Sequence, residues 1–139
     1  MGDQCTMDLD RLREHFEIKL SAEKQLADVI DAVRDGDSNL VLLDMRGRED
    51  YQSGHINGAW SMPLAEIDAR YNELPRDREV VTYCYNQHCH LSTLGALKLV
   101  KHGIAAKEMN AGWNEWIKAG LPSHLETDDS ANCKGNCAL

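Results

Sequence analysis

The residues best suited to chemistry in this chain of 139 residues are its cysteines, Cys5, Cys84, Cys89, Cys133 and Cys137. An odd number without a secretory leader does not read as a disulfide framework, so clustered thiols are expected to be reactive or metal-binding. Two pairs cluster, Cys84 with Cys89 and Cys133 with Cys137, and the first pair is interleaved with His88 and His90. Cys84 directly follows the apolar run Val80 to Tyr83, and a helical pattern begins about five residues later. A cysteine between a buried strand and a helix meets unpaired helical N–H groups and the positive end of the helix dipole. Such surroundings lower a thiol pKa from its free value of about 8.5 and stabilise an anionic sulfur. The competing reading is an inert buried cysteine after an apolar strand. Zinc at Cys84, His88, Cys89 and His90 would need tetrahedral convergence, which a loop curling into a helix does not supply, so no metal and no cofactor are expected. His88 and His90 are instead expected to lend partial positive charge.

Composition narrows the remaining classes. A formal charge of −8 argues against nucleic acid or an anionic membrane surface as partner. No apolar run approaches the roughly 20 residues that a membrane-spanning helix needs. The N-terminus, MGDQCTMDLD, lacks a secretory pattern, and a cytoplasmic location is expected. The pair Cys133/Cys137 lies on a polar C-terminal stretch, read as a flexible end or a sulfur-receiving arm.

The elements that must hold Cys84 follow from periodicity. Residues 1–15 read as an extension with a weak helical pattern around Met7 to Phe16. Phe16, Ile18 and Leu20 alternate with polar residues and predict a half-buried strand. Ser21 predicts the N-cap of a helix with Leu26, Val29, Ile30 and Val33 on one face, ended by Asp35-Gly36-Asp37. Leu40 to Leu43 and Glu79 to Tyr83 read as strands covered on both faces. Between them come a helical turn at Glu49 to Ser53, a short strand near Trp60 to Met62, and a helix from about Ala65 to Leu74. A helix from Cys89 to His102 is predicted to bury Leu91, Leu94, Leu97 and Val100. A strand near Lys107 to Asn110 and a helix from Trp113 to Ala119 close the domain, and 123–139 reads as a tail. The alternation predicts an α/β fold: one doubly wound, mainly parallel five-stranded sheet with helices on both faces.

Four motifs give this reading a family. Leu42 to Arg46 resembles the "LLDVR" strand of rhodaneses, and Tyr51 to Ala59 resembles their "YxxGHIxGA" turn, followed by Met62-Pro63. Val80 to Cys84 resembles the strand leading into the catalytic cysteine, and Ala111 to Trp116 with Gly120-Leu121-Pro122 resembles "GGWxxW…GLP". The resemblance covers residues 16–122. It implies a single-domain sulfurtransferase in which Cys84 carries sulfane sulfur as a persulfide, taken from a small donor and passed to a thiol acceptor. Backbone amides of Tyr85, Asn86, Gln87, His88 and His90 would cradle the outer sulfur, while Asp44, Arg46 and His55 would serve as structural neighbours. The loop Cys84 to His90 departs from the family's "CxxGxR": Gln87 stands at the glycine and Cys89 at the arginine. The seven-residue loop of related phosphatases fails as well, since its arginine position is His90, and a phosphate dianion would lack its guanidinium clamp. Some rhodanese-like proteins resemble this chain in carrying a second cysteine five residues after the first, which suggests a resolving or relay role for Cys89. A polysulfide or persulfide donor is expected to be preferred over thiosulfate. The alternatives are a thiol-disulfide redox protein cycling Cys84/Cys89 and a non-catalytic interaction module on the same scaffold.

Overall fold

The computed structural model describes residues 8–37 and 39–125. It begins with helix α1 (Leu9–Ala22), strand β1 (Glu23–Lys24) and helix α2 (Leu26–Asp35). The segment holding Phe16, Ile18 and Leu20 is therefore helical, and the strand expected there is replaced by the two residues of β1. Local forces account for this outcome. Asp8 caps the helix by accepting from the Asp10 N–H at 2.9 Å, and Lys19 pairs with Glu23 one turn on at 2.6 Å. No residue of α1 is buried, and Phe16 and Leu20 are 54% and 70% exposed, so no core selects the alternating pattern. Ser21 falls inside α1, and Gln25 takes the N-cap position of α2, whose end at Gly36 adopts φ 67° as expected.

Next come β2 (Leu40–Asp44), α3 (Arg48–Ser53), β3 (Gly54–Ile56) and β4 (Trp60–Ser61). The helix expected over Ala65 to Leu74 is broken into a 3-10 turn (Leu64–Glu66), α4 (Ile67–Arg70) and a second 3-10 turn (Tyr71–Glu73). The chain continues through β5 (Glu79–Tyr83), α5 (Leu91–Lys101), β6 (Ala106–Met109), α6 (Trp113–Lys118) and β7 (Ser123–Leu125). Five strands form one parallel sheet in the order β1-β6-β5-β2-β4, with β2 and β5 paired along their full length from Leu40↔Glu79 to Asp44↔Tyr83. Strands β3 and β7, neither anticipated, form a separate antiparallel pair.

Alternation along the central strands divides the core in two. Leu42, Val81 and Tyr83 face Val29 of α2 and Trp116 of α6, while Val41, Leu43 and Val80 face Leu99 of α5 and Ile67 of α4. Helices thus cover both faces of a five-stranded sheet, as the sequence predicted.

Helix α5 presents a different face from the one expected, and of the four residues predicted to be buried Leu91 alone packs against the core. Leu94, Leu97 and Val100 are 45%, 49% and 53% exposed, and the buried residues are Ser92, Gly95 and Leu99. Close approach accounts for the choice of face: a Cβ on Gly95 would lie 2.5 Å from Met45 Sδ, so glycine lets the helix settle on the sheet with Met45 undisturbed. Lys98 and His102, on the same helix and just past its end, are bound to Asp68 of α4 at 3.0 and 2.9 Å.

Candidate active site

The central strands β2 and β5 end side by side, and each delivers a motif at its C-terminal edge, where open parallel sheets gather ligands. From β2 come Asp44, Met45 and Arg46, all buried. The Arg46 guanidinium donates to Asp44 through Nε and Nη2 at 3.0 and 2.9 Å, and Nη2 also donates to the Gly54 carbonyl at 2.5 Å. From β5, the Tyr83 hydroxyl donates to Asp44 at 2.7 Å and accepts from the Ile56 N–H at 3.1 Å. Burial and the neighbouring Asp44 carboxylate push the Tyr83 phenol well above its ordinary pKa, so it remains a donor. The strand motif and the Gly54 to Ala59 turn are therefore one hydrogen-bonded unit. Within the turn His55 stacks on Tyr51 at 3.7 Å, and its Nδ1 lies 2.7 Å from the Tyr51 carbonyl, which can only accept, so Nδ1 carries the proton. Burial holds the His55 pKa below its ordinary value, the neighbouring His124 adding to the effect.

Cys84 follows β5 and is 1% exposed. Its carbonyl accepts from the Trp113 N–H at 2.8 Å, and the Tyr85 carbonyl accepts from the Asn114 N–H at 2.8 Å. The first turn of α6 is thus bound to the loop backbone. Gly112 makes this possible, since a Cβ there would lie 2.5 Å from Asn86 N, 2.6 Å from Asn86 Cα and 2.7 Å from the Cys84 carbonyl oxygen. Sequence reasoning missed this role, although the glycine preceding Trp113 in the matched motif was its only signal. The Trp113 ring in turn covers Arg46, whose guanidinium carbon lies 4.8 Å from the ring centroid, and the Tyr85 ring lies 5.8 Å from the same atom. The Tyr85 hydroxyl donates to Asp50 of α3.

Cys84 and Cys89 are joined in a disulfide with Cα atoms 6.4 Å apart, inside the span that a bridge requires. One of the amides expected to cradle sulfur is turned inward, the His88 N–H donating to Asn86 Oδ1 at 2.8 Å, and beside it the Cys89 N–H donates to the Asn86 carbonyl at 3.2 Å. Gln87, His88 and His90 are exposed, and the helix starts at Leu91, two residues later than expected, with His90 at its N-cap. Among the described residues no group of three or more His, Cys, Asp or Glu could hold a metal ion. Likewise, no helix is long and apolar enough to cross a membrane. Cys5, Cys133 and Cys137 lie outside the described residues.

A five-stranded parallel sheet covered by helices on both faces, with a two-cysteine loop at the end of its central strand, defines the structural class. Within that class the chain belongs to the rhodanese-like domain family, whose model matches residues 25–119. It is 39% identical over 84 residues to an HTH-type transcriptional regulator of Mycobacterium tuberculosis, covering 60% of this chain and 37% of that protein. YrkF of Bacillus subtilis, provisionally named a sulfur carrier protein, is 33% identical over 102 residues, covering 72% of this chain and 50% of its own length. A protein of Allochromatium vinosum named as a sulfurtransferase is 28% identical over 102 residues, covering 73% and 87% respectively. The chain thus spans half or less of the first two relatives. Among solved structures, a Bacillus halodurans protein superposes with a TM-score of 0.76 at 26% identity, covering 86% of this chain and 88% of that one. Family and relatives together support a sulfurtransferase-type role.

Proposed function

We propose that the protein moves sulfane sulfur through a persulfide on Cys84. The Cys84 thiolate attacks the outer sulfur of a persulfide R–S–SH, forming Cys84–S–SH and releasing R–S⁻. A second thiolate then attacks that outer sulfur and leaves as a persulfide, regenerating the Cys84 thiolate. The observation carrying this reading is the position of Cys84, buried at the end of β5 on a loop whose carbonyls are bound by the first turn of α6. Cys89 stands within bridging range and supplies a resolving step: its thiolate attacks the inner sulfur of Cys84–S–SH, forming the disulfide and expelling HS⁻. The donor class favoured is polysulfide or persulfide, since Cys89 occupies the position of the guanidinium that would bind a dianion. The bridge also favours a second reading, a thiol-disulfide redox protein that transfers no sulfur.

Intact-mass spectrometry on reduced protein freed of reductant separates the two. Exposure to polysulfide should add one sulfur atom to Cys89→Ser, and none to Cys84→Ser. Loss of two hydrogens in the unmodified protein, with no sulfur gained by either variant, would leave only the redox reading. Sulfur gained equally by Cys84→Ser would remove Cys84 as the carrier.

A further inference from the structure

The bridge between Cys84 and Cys89 presents its two sulfurs unequally. Cys84 is 1% exposed, whereas Cys89 is half-buried. A thiolate opens a disulfide by attacking one sulfur and expelling the other, so access decides which cysteine leaves. Attack on this bridge falls on Cys89, and Cys84 is released as the thiolate. A second dithiol, Cys133 and Cys137, is left unused by sulfur transfer through Cys84. Lys134, Gly135 and Asn136 separate its two cysteines. Gly and Asn are turn-forming residues, so the pair can close on itself, and Lys134 next to Cys133 in sequence favours its thiolate.

The chain sets out toward this pair from a fixed point beside the active loop. The Pro122 carbonyl accepts from Trp116 Nε1 at 2.9 Å and from the Asn57 N–H at 3.1 Å, and β7 then pairs antiparallel with β3. Its last residue, Leu125, stands opposite Gly54, whose carbonyl is bound by Arg46. Strand β7 therefore runs toward the edge of the domain that holds the site. A Cβ built on Gly54 would lie 3.1 Å from both Leu125 Cδ2 and Trp113 Cζ2, so these two side chains meet over Gly54. The Trp113 N–H is bound to the Cys84 carbonyl, so a single tryptophan connects Leu125 to the loop. Cys133 is eight residues beyond Leu125 and Cys137 twelve. Extended chain covers about 3.3–3.6 Å per residue, a reach of roughly 26–29 Å for the first and 40–43 Å for the second. A path of one tryptophan is shorter than either.

We propose that Cys133 and Cys137 are a tethered dithiol that reopens the bridge between Cys84 and Cys89. The Cys133 thiolate attacks Cys89 Sγ, forming a mixed disulfide and expelling the Cys84 thiolate. The Cys137 thiolate then attacks Cys133 Sγ, closing the Cys133–Cys137 disulfide and expelling the Cys89 thiolate. Two thiolates are consumed and two released, and the electron pair that reduces the bridge comes from the second dithiol. The proposal rests on the bridge, which the persulfide-resolving step and the thiol-disulfide reading both form, and not on sulfur transfer itself. Once sulfide release has left the loop oxidised, this exchange returns Cys84 to the state that attacks the next donor. Tethering over such spans corresponds to an effective concentration on the order of mM.

The test uses the full chain carrying Cys5→Ser, reduced, freed of reductant and given one equivalent of diamide at low micromolar concentration. Samples taken over time are quenched in acid, alkylated and peptide-mapped. With Cys133 and Cys137 both present, the cross-link between Cys84 and Cys89 should decay as one between Cys133 and Cys137 rises. Cys137→Ser removes the second step, and should accumulate a monomeric mixed disulfide of Cys89 with Cys133 in which Cys84 is alkylated. In Cys133→Ser/Cys137→Ser the cross-link between Cys84 and Cys89 should persist, and matching the first chain's rate should take added 2-mercaptoethanol on the order of mM. A bridge that persists with both cysteines present, a mixed disulfide to Cys84 instead of Cys89, or mixed disulfides found only in dimers would overturn the proposal. Failure of the bridge to form in Cys133→Ser/Cys137→Ser would overturn it together with the resolving step, whatever sulfur Cys84 gains. Exchange as expected in a chain whose Cys84 gains no sulfur from polysulfide would instead sustain the dithiol and overturn the carrier role.

Discussion

Two glycines in this fold would place an added Cβ equally close to a neighbour, and the neighbours' natures predict different consequences. At Gly95 the nearest atom is Met45 Sδ at 2.5 Å, the end of a flexible side chain. At Gly112 the three nearest atoms are backbone: Asn86 N at 2.5 Å, Asn86 Cα at 2.6 Å and the Cys84 carbonyl oxygen at 2.7 Å. Ordinary contact is about 3.5–4.0 Å, so the overlap at Gly112 is roughly 1 Å or more against atoms that move only with the loop. Overpacking of this kind costs about 1–3 kcal/mol, and Gly112→Ala should fall at the upper end. In a domain of this size that is about 6–12 °C in Tm. Separation of α6 from the loop should also loosen the Trp113 and Asn114 bonds to the Cys84 and Tyr85 carbonyls, slowing sulfur loading. Met45 can rotate away, so Gly95→Ala should cost less and leave loading unchanged. The assay is thermal unfolding of both variants together with the initial rate of sulfur gain at Cys84 from polysulfide. Equal stability losses, or normal loading in Gly112→Ala, would refute the claim that this glycine holds the loop by close approach.

Three further outcomes follow from the site. Asp44→Asn should destabilise the domain by about 3–5 kcal/mol in urea unfolding, because it strands the buried Arg46 guanidinium without its counter-charge. Because burial lowers the His55 pKa, the unfolded chain binds its proton first as pH falls below the ordinary 6.5. Stability should therefore decline below that pH and level off beneath the folded-state pKa, and His55→Asn should flatten the slope of denaturation midpoint between pH 7.5 and 5.5. Steady-state kinetics should show weak thiosulfate turnover that improves roughly tenfold in Cys89→Arg, the low end for a restored charge-assisted hydrogen bond. Efficient thiosulfate turnover by the unmodified chain would instead show that backbone amides suffice.

Strong local signals made much of the molecule readable. The runs Leu40 to Leu43 and Glu79 to Tyr83 have one good solution, a strand buried on both faces, and that alone put Cys84 at the sheet's C-terminal edge. The end of α2 followed from Gly36, which takes the left-handed backbone at φ 67°. Contacts distant in sequence decided the rest. Phe16, Ile18 and Leu20 could alternate as a strand or wind as a helix, and with no core to bury them the cap and ion pairs of α1 prevailed. Helix α5 offered a leucine stripe and a face of small residues, and the fit of Gly95 onto Met45 selected the second. The pairing of β3 with β7, the clamp of Gly112 on the loop and the inward turn of two loop amides onto Asn86 join segments or geometries that no local pattern encodes. Sequence by itself determined which cysteine ends the central strand at the C-terminal edge of the sheet. Tertiary packing decided what surrounds it, because close approach, unlike periodicity, is a property of two surfaces at once.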